Sequence, residues 1–84
     1  MYKLRYEASV EAVWDALPGD ARNEFEQALS NVCLDPWNTT EAHPAAEHEQ
    51  QRILVLRHST AVLVIIEGPE GVRRVRVLEL QFFG

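Results

Sequence analysis

The sequence has a single cysteine, Cys33, and no long hydrophobic run among its 84 residues. One cysteine excludes an internal disulfide and any metal site built from several cysteines. The longest apolar run, residues 61–66, is far shorter than the roughly 20 residues that a transmembrane helix needs. The first residues alternate charged with aromatic side chains and lack the apolar core of a signal peptide. These absences predict a cytoplasmic protein that does not bind a membrane.

The length predicts one domain over residues 1–84, and the net charge of −5 is unevenly distributed along it. Residues 1–50 carry three basic and ten acidic side chains, whereas residues 51–84 carry five arginines and three glutamates. An acidic chain is repelled by phosphate backbones unless its positive charge is concentrated on one face. Only the C-terminal part of this chain could form such a face.

Hydrophobic periodicity predicts a strand and two helices in the first half of the chain. Residues 2–6 alternate aromatic or apolar with charged side chains, which is typical of a strand with one buried face. Two stretches with helical spacing follow, and Ser9 and Asp20 are candidate N-caps for them. Because only a short break at Pro18 separates these stretches, they predict an αα-hairpin. In the second helix, Glu24 is predicted to face water. The apolar residues of the two stretches are Val10, Val13, Trp14 and Leu17, then Ala21, Phe25, Ala28, Leu29, Val32 and Cys33.

The second half of the chain predicts a loop followed by three strands. Residues 36–51 contain two prolines and few apolar side chains, so they predict a loop in which residues 45–51 could form a turn or two of helix. Strands are predicted over residues 53–56, 61–66 and 72–83, with a turn at His58 and Ser59 and another at residues 68–71. The result is an α+β fold of order β-α-α-β-β-β, with a helical hairpin on one face of an antiparallel sheet. Its predicted core includes Trp14, Phe25, Leu29, Leu63 and Ile65.

The last strand changes phase along its length. Val75 and Val77 share one face and the neighbouring arginines the other, but Leu78, Leu80 and Phe82 then take the face of the arginines. Two explanations fit: a β-bulge near Val77, or a strand that is covered on both sides beyond it.

This order of elements resembles the RelE/ParE superfamily, the toxins of type II toxin–antitoxin systems, which include plasmid-stabilisation-like proteins. The matching features are the opening strand of residues 2–6, a first helix that ends in Leu17-Pro18 and a second that ends in Asp35-Pro36. A strand, a tight turn and a strongly apolar strand follow at residues 52–67, and the last strand begins at residues 72–78.

The chain departs from the family at the positions that carry nuclease chemistry. The resemblance implies metal-free, ribosome-dependent mRNA cleavage in the nuclease branch, which needs a proton acceptor, phosphate-binding cations and an acid. This sequence has Ala61 where the family has an arginine, and Leu54 and Val55 where it has basic residues. It has Phe82, Phe83 and Gly84 where the family has Arg, His or Tyr.

These departures favour a RelE/ParE-like protein that works by protein binding, without ribonuclease activity and without a cofactor. It would be a toxin of the gyrase-poisoning type, or a module kept for binding an antitoxin or for dimerisation. The alternatives are a ribosome-dependent mRNA endonuclease with a rearranged site, and a dimeric interaction domain unrelated to toxins. The rearranged site would use Arg52, Arg57, His58 or Arg76.

The predicted partner-binding surface lies on the last strand, and its occupant is an antitoxin or a second copy of the chain. Arginines of this strand, together with Arg52 and Arg57, could form a basic patch for an acidic segment or a phosphate backbone. They could equally be the charges that protect an edge strand from aggregation. The surface comprises Arg73, Arg74, Arg76, Leu78, Leu80, Phe82 and Phe83.

The remaining candidates are histidines and tryptophans. His43 and His48 lie among glutamates at 41, 47 and 49, but their spacing does not match a known zinc motif, so no metal site is predicted. Trp14 and Trp37 could stack on bases. The helical stripe instead places Trp14 in the core, and Trp37 is predicted to cover the end of the sheet.

Overall fold

The computed structural model describes residues 1–83 and places two main helices on one face of a five-stranded sheet. The strands are β1 (Lys3–Tyr6), β2 (Glu41–Ala42), β3 (Gln51–Val55), β4 (Ser59–Glu67) and β5 (Arg73–Phe82). The helices are α1 (Ala8–Ala16), α2 (Gly19–Leu34) and the short α3 (Pro36–Thr39), and a 3-10 turn over Pro69–Gly71 joins β4 to β5. Within residues 1–83 no helix is both long and apolar enough to span a bilayer. The α+β class and the order of the main elements are as predicted.

The sheet is mixed, so the prediction of an antiparallel sheet is wrong at one edge. The strand order is β1-β5-β4-β3-β2, and β1 pairs with β5 in parallel, with Leu4 opposite Val75 and Tyr6 opposite Val77. All other neighbouring strands are antiparallel. Two parallel strands need a long connection, which the helices and the other three strands provide here. The alternation in β1 predicts a strand but carries no information about the direction of its neighbour.

Both predicted helix caps are wrong by two positions. Glu7, in extended conformation, precedes α1, because its N–H bonds to the Val77 carbonyl and the chain enters the helix directly from β1. Ser9 therefore lies inside the first turn. Pro18 precedes α2, and its fixed φ suits the start of a helix, so Asp20 also lies inside the first turn.

The core lies between the two helices and strands β3 to β5. Phe25, Leu29, Leu63 and Ile65 are buried there, as predicted. Trp14 is only half-buried and packs on the margin of the core, with its ring 5.7 Å from that of Phe25. The prediction of a buried Trp14 is therefore only partly right, since a ring of this size at the rim of a small domain seldom becomes fully covered.

A β-bulge explains the phase change in β5. Leu63 pairs with Val77 but the next residue of β4, Val62, pairs with Glu79, so Leu78 is an additional residue in the ladder. Val75, Val77 and Leu80 are consequently all buried against the helices. The alternative of a strand covered on both sides is wrong. The bulge also places Leu80 and Phe82 on the helix-facing side, not on the side of Arg74 and Arg76.

Residues 36–51 are more structured than a loop, but not where a helix was expected. Their beginning forms α3 and β2, and residues 45–50 are turns and bends, so the predicted helical turns at 45–51 are wrong. Thr40 is buried and donates its hydroxyl to the Pro36 carbonyl. The His43 ring nitrogen accepts the N–H of Ala45, which closes one of the turns.

Glu24 of α2 caps the turn between β3 and β4, although the sequence predicted that it faces water. Its two carboxylate oxygens accept the backbone N–H groups of Arg57 and His58, each at 3.2 Å. We expect Glu24→Ala to lower the free energy of unfolding by about 1 kcal/mol, because two turn N–H groups lose a charged acceptor. Urea denaturation measures this loss, and Glu26→Ala on the exposed side of α2 is the control. Equal stabilities for the two variants would contradict the capping role.

Candidate functional site: the open face of the sheet

The face of the sheet opposite the helices carries a row of aliphatic side chains. In β4 the helix-facing residues are buried, whereas Val62 and Val64 are half-buried and Ile66 is exposed on the other face. Cross-strand pairing adds Ile53 and Val55 of β3 to the same face, and Val55 is 59% exposed. We call these five residues the apolar stripe. A contiguous aliphatic row on an uncovered sheet face is a common mark of a contact surface.

Four cations flank the apolar stripe on strands β5 and β1. Arg74 and Arg76 pair with Ile66 and Val64, so they lie on the open face, and the parallel register places Lys3 beside Arg74 and Arg5 beside Arg76. We call these four residues the basic cluster. The Arg76 guanidinium contacts the Glu7 carboxylate at 3.4 Å, and both side chains are about half exposed. Such an exposed pair contributes little to stability and can exchange for another carboxylate.

The basic cluster differs from the patch of five arginines that the sequence predicted. Arg73 lies on the helix-facing side, 6.0 Å from the centre of the Tyr2 ring. Arg52 lies on that side too, 5.4 Å from the Trp37 ring, and donates to the backbone carbonyls of Trp37 and Thr40. Arg57 lies in the turn before β4. The sequence did not predict Lys3 and Arg5 as part of this surface. Their alternation in β1 was visible, but the pairing of β1 with β5 was not.

The four residues named for a rearranged nuclease site do not gather in one place. Arg52 is held by Trp37 and Thr40 on the helix-facing side, whereas Arg76 lies on the open face. His58 lies just before β4, and Arg76 pairs with Val64, six residues further along, which is roughly 20 Å at 3.3 Å per residue. The four residues Arg52, Arg57, His58 and Arg76 therefore do not come together at one point.

The end of the sheet next to α3 is fixed by a shared carboxylate. The Tyr2 hydroxyl and the Trp37 indole N–H both donate to one oxygen of Glu67, the latter at 2.9 Å. These hydrogen bonds lower the pKa of Glu67, and the bond to Glu67 raises the pKa of the Tyr2 hydroxyl. Trp37 thus packs over the end of the sheet, as predicted, and holds its position there by a polar contact.

Cys33 is the one thiol of the chain and lies buried near the start of β1. Burial raises its pKa, which disfavours the thiolate that a nucleophile or a metal ligand would need. Burial likewise raises the pKa of Tyr6, whose ring lines a shallow depression with Trp14. Within residues 1–83 no three His, Cys, Asp or Glu side chains lie close enough to share a metal ion, and this includes His43, His48 and their neighbouring glutamates.

The apolar residues predicted for partner binding divide between the core and the surface. Leu80 is buried, Leu78 is half-buried at the bulge, and Phe82 packs near α1 while remaining 37% exposed. Phe83 is 57% exposed. Gly84 lies outside the described residues.

No protein-family model matches the chain, and no curated protein is similar enough to match it. The open face presents guanidinium and ammonium groups beside aliphatic side chains, a combination suited to binding an anionic, partly apolar ligand.

Proposed function

We propose that the chain is a RelE/ParE-like protein that binds an acidic, amphipathic segment of a partner protein on the open face of its sheet. In a toxin–antitoxin pair, this segment would belong to the antitoxin. The observation that carries the proposal is the basic cluster lying directly beside the apolar stripe, on the sheet face that lies opposite α1 and α2 in the described residues 1–83.

The two parts of this face match the two sides of such a segment. Leucine or valine side chains of the partner would cover the apolar stripe and remove its aliphatic surface from water, which contributes about 25 cal/mol per Å² buried. Carboxylates on the adjacent side of the segment would reach Arg74 and Arg76, whose planar guanidinium groups bind carboxylates through paired hydrogen bonds. Lys3 and Arg5 extend the positive charge along the same edge.

A protein partner fits the charge of the whole domain better than a nucleic acid does. The exposed sides of α1 and α2 are acidic, with Glu11, Asp15, Asp20 and Glu26 facing water. A nucleic acid longer than the basic cluster would meet this negative surface, whereas a short acidic segment need not. RNA cleavage needs a proton acceptor close to the cations that hold the phosphate. His58 lies directly before β4 and is remote from Arg76, which supports binding without RNA cleavage.

The test uses a fluorescent synthetic peptide that forms a helix with leucines on one side and glutamates on the other. We expect the double variant Arg74→Glu, Arg76→Glu to bind this peptide on the order of 100-fold more weakly, because attraction becomes like-charge repulsion. Fluorescence anisotropy at low salt measures the affinity. Arg57→Glu makes the same substitution in the turn before β4, outside the basic cluster, and serves as the control. An unchanged affinity in the double variant would overturn the proposal.

An mRNA cleavage assay with ribosomes tests the alternative function, a ribosome-dependent nuclease. Cleavage of mRNA by the purified protein in the presence of ribosomes, lost in Arg76→Ala, would favour the nuclease and reject the binding function. A natural partner can be sought in the adjacent gene. A small protein with a DNA-binding head and an acidic tail should co-purify with the wild type and not with the double variant.

A further inference from the structure

The second half of β5 has an outer edge with no neighbouring strand. β1 pairs with β5 only from Arg74 to Val77, where the Glu7 N–H bonds to the Val77 carbonyl and the chain turns into α1. Beyond Val77, no strand within residues 1–83 pairs with β5 on that side. The other side of the same segment pairs with β4 as far as Ser59 opposite Phe82.

The backbone groups on this edge can be assigned from the pairing with β4. Phe83 donates its N–H to the His58 carbonyl, on the β4 side. Since successive residues of a strand point their backbone groups in opposite directions, Leu80 and Phe82 direct theirs outward. A strand added at this edge would therefore find two N–H donors and two carbonyl acceptors in regular spacing.

This edge is less protected against pairing than the other edges of the sheet, although the bulge at Leu78 and the charge of Glu79 lie at its start. Sheet edges are normally short, charged, interrupted by proline or covered. β2 has only two residues, and β1 carries Lys3 and Arg5 and is tied to α2 by the Tyr2 N–H at the Cys33 carbonyl. In contrast, residues 79–83 carry a single charge and end in two partly exposed phenylalanines.

We propose that two copies of the chain pair through this edge, antiparallel and across a two-fold axis at Gln81. Leu80 of each copy then lies opposite Phe82 of the other, and the outward groups of both residues form four backbone hydrogen bonds across the axis. On the open face Gln81 meets its own copy, and Glu79 lies opposite Phe83. This register places no like charges opposite one another and pairs apolar side chains on the helix-facing side.

A second copy fits this edge for reasons that the structure provides. The segment is complementary to itself in this register, which is what a two-fold interface requires, and two-fold dimers are the commonest oligomers. An apolar depression between α1 and β5, lined by Val13, Ala16 and Leu17, adjoins Phe82 and can receive part of the opposite ring. The pairing uses a different part of β5 from the basic cluster, so it does not depend on the proposed function.

Sedimentation equilibrium over a concentration series tests the dimer. Gln81→Lys places two ammonium groups directly opposite each other at the axis, and we expect it to raise the dimer dissociation constant by at least about tenfold. Thr60→Lys is the matched control, because Thr60 pairs with Gln81 on β4 and puts the same charge on the same face, one strand away from the axis. Both positions lie outside the core, and circular dichroism verifies that each variant is folded.

Mixing complementary variants tests the position of the axis. Gln81→Lys and Gln81→Glu should each dissociate alone, and their equimolar mixture should recover a dimer at least as tight as that of the wild type. Three results would overturn the proposal: a wild-type monomer at concentrations on the order of 1 mM, equal weakening by Gln81→Lys and Thr60→Lys, or no recovery in the mixture.

Discussion

Phe25→Ala is expected to lower the free energy of unfolding by about 3–5 kcal/mol, because it removes a ring from the fully buried centre of the core. Phe25 has no exposed surface, and its ring packs against Trp14 at 5.7 Å between centroids. The loss would be a large share of the 5–15 kcal/mol that typically stabilises a folded domain. Urea denaturation followed by far-UV circular dichroism measures it.

Glu26→Ala is the neighbouring control, since Glu26 is exposed on the same helix. Its effect should stay within about 0.5 kcal/mol, as for most surface substitutions. A loss below about 1 kcal/mol for Phe25→Ala would mean that α2 does not pack on the sheet through this face.

The helices and the core were predictable because their signals are local. The apolar spacing in α2 identifies Phe25 and Leu29 as inward-facing whatever the helix packs against, and both are buried. For Trp14, the helical spacing predicts which way the side chain faces but not how deeply it is buried. Its position on the stripe was right, but how far it is covered depends on the distance from α1 to the neighbouring elements.

The open face was only half predictable because it depends on contacts between distant segments. Arg74 and Arg76 were recognisable from their alternation, but the basic cluster also needs Lys3 and Arg5, about 70 residues earlier. Only the parallel pairing of β1 with β5 brings them together. Arg52 also depends on a distant segment. It lies outside the predicted patch because it bonds to Trp37 and Thr40, which are positioned by α3.

The phase change in β5 was visible in the sequence, but its two explanations gave opposite locations for Leu80. With a bulge, Leu80 returns to the helix-facing side; with a regular strand, it would share the open face with Arg76. The structure places one extra residue, Leu78, between the pairs at Val77 and Glu79. Periodicity alone cannot locate such a residue, because the bulge becomes apparent only when the register on both sides is known.

The bulge leads to the second large effect, which we expect from Leu80→Asp. Leu80 is 6% exposed beneath the helices, so the substitution buries a carboxylate without a partner and should cost several kcal/mol, enough to unfold much of the protein at neutral pH. The burial would raise the pKa of the introduced carboxyl group above its unfolded value. Its penalty should therefore shrink as the pH falls through that raised pKa, where the group becomes protonated and neutral in the folded state.

Leu78→Asp is the matched control, because it makes the same chemical change two residues away at a half-buried position. A loss of about 1 kcal/mol is expected there, corresponding to about half of the burial energy of a leucine side chain. Thermal denaturation of both variants at neutral and at mildly acidic pH measures the difference. If β5 were a regular strand, Leu78 and Leu80 would share one face, and the two variants would lose similar stability with similar pH dependence. A much larger loss for Leu80→Asp, partly recovered in acid, is the result that the bulge requires.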